Sequence, residues 1–322
     1  MTSRQRVLVC GATGFIGRNT IEHFSRRKDI ELVAIEHEKP SFDCPNVEWI
    51  TADLTRQEDV AHALQGIDIV IQAAATTSGA GDIINHPYIH TADNAVMNSH
   101  IFRAAYDQNV NQVVFFSCTV MYPSSKIALR EEDFTGEIAP HYFGVGWTKV
   151  YLEKMAEFYA GLGRTKFTVL RHSNIYGPHD KFDLERSHMF GATVTKVMTA
   201  QDGSIVVWGE GEESRDLLYV NDLIDCVERA MERQDEPFDL YNIGYGEAFP
   251  IKEVVRRIIA ASGQDLKIEF DRNKPTLKTS LFLDCSRAQA ALEWKPTTNF
   301  NEGIRTTLEW YRAIQSGLGS TA

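Results

Sequence analysis

The 322-residue sequence predicts an α/β protein built on a doubly wound parallel sheet, with a smaller C-terminal α/β lobe. Three observations predict it. Short apolar runs rich in β-branched residues alternate with helical stretches from residue 6 to about 177. Three glycines, Gly11, Gly14 and Gly17, join the first run to the first helix. Beyond residue 178 the alternation breaks into turns, short strands and a short helix, the pattern of a separate lobe.

The expected strands are Arg6–Cys10, Glu31–Glu36, Val47–Ala52, Ile69–Gln72, Gln112–Ser117 and Thr168–His172, with helices that include Asn94–Gln108 and Trp147–Leu162. Their near-continuous apolar character is that of strands covered on both faces. In "VLVCGATGFIG" the glycines permit a tight turn, a close approach of backbone to a pyrophosphate, and helix–strand packing. The helix opening near Phe15 offers free N–H groups to phosphate. This is a dinucleotide cradle of the Rossmann type, and Thr13, Phe15 and Ile16 belong to it with the glycines.

Glu36 ends the second strand nineteen residues past Gly17, close to the expected ~20. A carboxylate there bonds the adenosine ribose hydroxyls and repels a 2′-phosphate, so the expected cofactor is NAD; the plainer reading is a polar strand end. Asp53 and Leu54 follow the third strand, where the adenine is lined in such folds. Ala73, Ala74 and Ala75, after the fourth, are small enough for the cofactor to lie on the backbone. The expected division is a cofactor domain over 1–177, to which 217–235 returns through "LYVNDLIDCVERAMERQ", and a substrate lobe over 178–322.

The formal charge of −11 argues against a nucleic acid or an anionic membrane as partner. Five cysteines without metal spacing point to the reducing cytoplasm. No run approaches the ~18 apolar residues of a membrane span, and no signal peptide is read before the first strand.

With "GATGFIG", "RHSNIYGPHD", "VVWGEGEESRDLLYVNDL" and "LDCSRAQAALEWKP…EGIRTTLEWY", the chain resembles the extended short-chain dehydrogenase/reductase family of nucleotide-sugar epimerases, dehydratases and reductases. The match runs from about residue 5 to 312. Through "NIYGPHDKFDLERSH" and "VVWG" it is most similar to the GDP-L-fucose synthase branch. The resemblance implies NAD, a nucleotide-diphosphate sugar, and a homodimer joined through the helices Asn94–Gln108 and Trp147–Leu162.

Such enzymes use a Ser or Thr, a Tyr and a Lys. The Tyr exchanges the hydroxyl proton while hydride moves to or from nicotinamide. The Lys, at i+4, holds the ribose and lowers the Tyr pKa. Lys149 in "WTKVYLE" matches the lysine, but residue i is Val145, which carries no titratable proton. Tyr142 is the candidate substitute, provided Gly144 and Gly146 let it fold back; otherwise it is an aromatic packed between lobes. Aligning Tyr122 in "FFSCTVMYP" with the family's tyrosine puts Cys118 at the Ser/Thr position, flanked by Ser117 and Thr119. Cys118 either faces the cleft or is a small apolar core thiol.

The dehydratases carry Asp-Glu after their Thr; here Thr119 and Val120 stand there, which speaks against elimination. The fucose-synthase branch pairs a cysteine with a histidine: His188 matches the histidine, and Val120 replaces the cysteine. On the diphosphate side, Asn174, Lys196 and Arg215 match family positions, and Lys278 is an added phosphate candidate. Arg215 would grip phosphate, or else pair with Asp216 or Asp222. The expected function is an oxidoreductase or epimerase acting at or next to sugar C4 of a GDP-type nucleotide sugar. The alternatives are an epimerase of a 4-keto sugar without net hydride transfer, and a non-catalytic NAD sensor.

Overall fold

The computed structural model describes residues 4–77, 85–184, 187–274, 276 and 279–317. Seven parallel strands form the main sheet: β1 (Gln5–Cys10), β2 (Ile30–Glu36), β3 (Val47–Thr51), β4 (Ile69–Gln72), β5 (Gln112–Cys118), β6 (Lys166–His172) and, much later, β10 (Phe238–Ile243). Their order is β10-β6-β5-β4-β1-β2-β3, so the chain reverses direction of winding between β1 and β4. In an open sheet of this kind, ligands settle outside the carboxyl ends of the strands at that reversal.

Helices cover both faces because both faces are apolar. On one face, α1 (Phe15–Phe24) packs with Val7, Val9, Leu32, Phe116 and Leu170. On the other, α2 (Gln57–Ala63), α3 (Ala92–Asp107) and α4 (Phe143–Gly161) cover Leu8, Val33, Val70, Phe115 and Val169. A small mixed sheet joins β7 (Asn174–Tyr176), β9 (Ser214–Tyr219) and β11 (Ala248–Pro250); a two-stranded parallel ribbon joins β8 (Ser204–Trp208) and β12 (Lys267–Asp271). Helices α5 (Met189–Thr199), α6 (Val220–Arg233), α7 (Ile251–Ser262), α8 (Ser286–Leu292) and α9 (Phe300–Gln315) complete the chain. A third core, around Tyr176, Phe190, Phe249, Phe300 and Leu308, lies under the small mixed sheet.

Two elements differ from the sequence-based expectation. Helix α4 begins at Phe143, four residues before Trp147, and runs unbroken through Gly144 and Gly146. The glycines are there for contact, not for a bend: a Cβ on Gly144 would lie 2.9 Å from Thr91 Cγ2, and one on Gly146 2.8 Å from Ile138 Cγ2. Strand β10 is the second, since "FDLYNI" lies in turn-rich sequence and finds its partner β6 about seventy residues upstream.

Candidate active site

At the tip of β1 the backbone itself makes the cradle. Gly11 has φ of 72°, and a side chain there would press to 2.6 Å from Ala74 Cα. Gly14 donates its N–H to Gly11 O at 2.9 Å and caps α1 with no side chain in the way. A Cβ on Gly17 would fall 2.1 Å from Gly11 O, so only glycine lets α1 sit this close to β1. The first turn of α1 contains no acidic residue. Thr13, Phe15 and Ile16 are half-buried around this open helix start, which fits an anionic pyrophosphate.

Glu36 ends β2, where its carboxylate accepts the Ser41 N–H at 2.6 Å and the Thr51 hydroxyl at 3.1 Å. The Ser41 bonds lead in holding it below the usual carboxylate range. Asp53, beyond β3, accepts the Thr55 hydroxyl at 2.7 Å and N–H at 2.9 Å, while Leu54 is buried beside it. At the tip of β4, Ala73 donates to Cys10 O at 3.1 Å, Ala74 donates to the Gln72 side chain at 3.2 Å, and Ala75 is exposed. This row of small and carboxylate-bearing tips suits NAD: open N–H groups for the pyrophosphate, a carboxylate for the ribose, bare backbone for the rest.

The reacting end lies at β5 and β6. Ser117 is fully buried and donates to Glu153 Oε1 at 2.6 Å, so it points away from the cleft. Cys118, the last residue of β5, therefore faces the other way. Burial raises its thiol pKa, and the Lys149 ammonium pulls in the opposite direction. Lys149 donates to Phe116 O at 2.8 Å and sits 4.8 Å above the Phe115 ring; burial lowers its pKa. Thr119 uses its carbonyl to hold the Tyr122 N–H at 3.0 Å, closing the turn after β5.

Tyr142 caps α4 from a 3-10 turn, Pro140–Tyr142. Its phenol hydrogen-bonds Thr279 and lies near the Arg215 guanidinium and the Cys118 thiol; burial raises its pKa. Arg215, on β9, donates to Ser214 O at 3.0 Å and to Thr279 O. Asp216 is engaged elsewhere: fully buried, it accepts the N–H groups of Tyr245 at 2.7 Å and of Gly246 and Leu283 at 3.2 Å. Asp222 takes Thr297 N and Oγ1 at 2.9 Å. The fold directs the Arg215 guanidinium toward Ser214 O, Thr279 O and Tyr142.

His188 stands just before α5. The residue is solvent-exposed while protein surrounds its ring on the other sides, and this enclosure, then Lys181 and His90, lowers its pKa. Asn174 donates to Asp216 O at 3.2 Å, locking β7 to β9. Lys196 reaches Val206 O at 2.8 Å and lies 5.8 Å from the Trp208 ring, whose other lysine neighbour, Lys274, is at 5.7 Å. Lys278 lies outside the described residues. Cys118, Tyr142, Lys149 and Arg215 are thus gathered into one cleft, whereas Lys196 is held on the β8–β12 ribbon.

Three features were not read from the sequence. Beneath the cleft, Arg171 grips Glu153 with two bonds, 2.9 Å and 2.6 Å, and holds Tyr122 at 2.8 Å; Tyr122 in turn donates to Asn242 at 2.8 Å. Glu153 lies four residues after Lys149, a same-face spacing that gave a usable signal. Trp208, 41% exposed, is the second. His172, at the tip of β6, is the third. Its Nδ1 is 2.7 Å from Ser173 O, and burial, with Lys149 and His188 adding to it, brings its pKa down to about 4.

A twisted seven-stranded parallel sheet with a glycine cradle at its reversal and a lysine at its β5 tip defines a dinucleotide-dependent enzyme class. The model of the NAD dependent epimerase/dehydratase family matches residues 7–244, more than half of the chain, and the protein belongs to that family. It is 25% identical to a GDP-L-colitose synthase of Yersinia pseudotuberculosis, over 95% of this chain and 97% of that one. A GDP-L-fucose synthase of Azorhizobium caulinodans is 27% identical, over 97% of each. Among solved structures, the fold is shared with a UDP-glucose 4-epimerase from Thermotoga maritima, at a TM-score of 0.85 and 21% identity, covering 97% of this chain and all of that one. The cofactor is NAD.

Proposed function

We propose that the protein is an NAD-dependent oxidoreductase or epimerase of a nucleotide-diphosphate sugar, GDP-linked, acting at or next to sugar C4. The single observation that carries this is the gathering of Cys118, Tyr142 and Lys149 at one end of a cleft with Arg215 beside them. NAD supplies hydride acceptance when bound. Lys149 would hold its ribose, Cys118 or Thr119 the reacting oxygen, and Tyr142 the proton for that oxygen. The raised pKa of Tyr142 keeps the phenol protonated at neutral pH, ready to donate to that oxygen in the reducing direction, whereas oxidation by NAD needs the phenolate to take the hydroxyl proton and would quicken as pH rises. His188, uncharged, is the candidate base at the neighbouring carbon. Arg215 and Asn174 would take the diphosphate, with Lys196 and Lys278 as further phosphate candidates. The GDP preference rests on the relatives named as GDP-sugar synthases.

The division of labour would follow the cores: residues 1–177 with 217–235 for the cofactor, 178–322 mainly for the sugar. A homodimer is supported by Phe143, Trp147, Tyr151 and Phe158, exposed on one face of α4. The five free thiols support the cytoplasm. Among the described residues no helix is long and apolar enough to cross a membrane.

A second reading is favoured by Val145: an epimerase of a 4-keto sugar needs no net hydride transfer and can dispense with the tyrosine. The test is absorbance near 340 nm (the NADH band) with NAD and GDP-, UDP-, dTDP- and CDP-sugars in turn. A rise with one sugar, abolished in Tyr142→Phe, is the expected result. No rise, with deuterium exchange into a keto-sugar, would select the second reading. Binding of NAD with no affinity for any nucleotide sugar would leave a sensor.

A further inference from the structure

We propose that a cavity at the amino ends of β1, β2 and β3 is an anion site that takes a phosphate group, separate from the cleft. The cavity measures about 770 Å³, within the roughly 300–1,000 Å³ of small-molecule pockets. It lies where Arg4 leads into β1, where 25–28 turn from α1 into β2, and where 43–46 lead into β3. Ligands of an open parallel sheet settle at the carboxyl ends of its strands, which are here about 20 Å away, the length of β1. The cavity therefore belongs to neither the cofactor nor the sugar.

Its charge sets it apart in a chain whose formal net charge is −11. Four cations line it: Arg4, Arg26, Arg27 and Lys28. Arg27 is already committed to Asp29 at 2.6 Å, to Glu228, and to Glu232 at 3.4 Å. Arg4, Arg26 and Lys28 have no ion-pair or side-chain hydrogen-bond partner among the described residues. Three carboxylates share the walls, and two are neutralised from outside the cavity. Glu22 holds Arg18 at 3.0 Å and His179 at 3.1 Å, and Glu31 holds Arg6 at 3.2 Å. Asp43, exposed at the rim, is left facing three cations.

Cations just past a helix can have a plainer task, which is to answer its carbonyl end. At the end of α1 that task is done by backbone. Ile21, His23 and Phe24 give their carbonyls to the N–H groups of Ser25, Arg26 and Arg27. The charged ends of Arg26 and Lys28 are thus left to the cavity. Arginine and lysine groups converging from two segments suit phosphate, whose several oxygens accept from many donors at once. Ile30, Cys44 and Pro45 form an apolar wall beside them, against which the body of a phosphate ester can lie.

The test titrates the full chain, saturated with NAD, with inorganic phosphate at constant ionic strength. Backbone amide shifts are followed by nitrogen-15 NMR. No sugar is present, so the outcome is independent of the substrate reading. Shifts at 25–28, Cys44 and Asn46 should saturate together. The double variant Arg26→Ser with Lys28→Ser, at two exposed positions, should weaken that binding about five- to tenfold and leave NAD affinity unchanged. Linear drift without saturation, or saturable shifts only around Arg215, overturns the proposal. A double variant that binds phosphate like wild type overturns it as well. Phenyl phosphate then separates the two sources of the group. Tighter binding than inorganic phosphate, with an added shift at Ile30, identifies a phosphate ester as the ligand; weaker binding identifies the free ion.

Discussion

The two halves of the cleft are built from different materials. Around β1 and β2 the ligand meets backbone: glycines that could not bear a Cβ, an uncapped helix start, three alanines. Around β5 and β6 the surface is made of side chains, brought in by four elements: Cys118 from β5, Tyr142 and Lys149 from α4 and its cap, His172 from β6 and Arg215 from β9. A surface of backbone tolerates drift in everything except its glycines. A surface of side chains can exchange one residue for another while the sheet beneath stays fixed; on the resemblance Val145 stands where a tyrosine is expected, and the Tyr142 phenol comes near Arg215 and Cys118 from the helix cap.

The comparison can be pressed hardest from beneath. Arg171 and Glu153 are both about 95% buried, at 6% and 4% exposure of their side chains, and each is the other's main partner. Arg171→Met leaves a carboxylate with only Ser117 and should cost about 3–5 kcal/mol, seen as a large drop in unfolding midpoint. Adding Glu153→Leu should recover most of it. If the single variant were as stable as wild type, the reacting end would not depend on this buried pair.

At the other half, Gly17→Ala should cost about 1–3 kcal/mol through overpacking against Gly11 O and abolish NADH fluorescence enhancement. Retention of normal NADH affinity would show that the cradle yields. The smallest effect is expected at Asp180, buried ahead of α5, whose Oδ1 accepts the Lys181 N–H at 2.7 Å and whose Oδ2 has no hydrogen-bond partner among the described residues. Burial raises its pKa to about 7. The folded protein thus binds a proton here more tightly than the unfolded chain does. That contribution is full below the ordinary carboxylate range and is lost as pH rises through about 7. The stability of Asp180→Asn relative to wild type should rise by about 1–2 kcal/mol between pH 6 and pH 8. An unchanged difference would mean the carboxylate finds compensation.

The sequence was legible where function is written in backbone. Glycine spacing, apolar runs and the acidic residue after β2 located the sheet and the cradle almost to the residue, because few residue types satisfy those positions. It was less legible where contacts are long-range. Strand β10 has an ordinary turn-flanked sequence, and its partner lies far upstream. Ser117 and Cys118 are adjacent, and only the bond from Ser117 to Glu153 decides which of them faces the cleft. His172 carries no spacing signal at all; its place opposite Cys118 is visible only in the β5–β6 register. The continuity of α4 through two glycines was concealed by their helix-breaking reputation, since the packing of Thr91 and Ile138 outweighs a propensity cost of about 1 kcal/mol each.

That unbroken helix has a further consequence. Val145 and Lys149 ride on one rod with Tyr142 at its cap, seven residues or about 10 Å from end to end. A single substitution, Val145→Tyr, would set a second phenol on this rod between the first and the lysine. The chain therefore lies one codon from holding two rival proton donors at different heights above the same sheet, and a shift of the working donor by a helical turn would require no rebuilding of the fold.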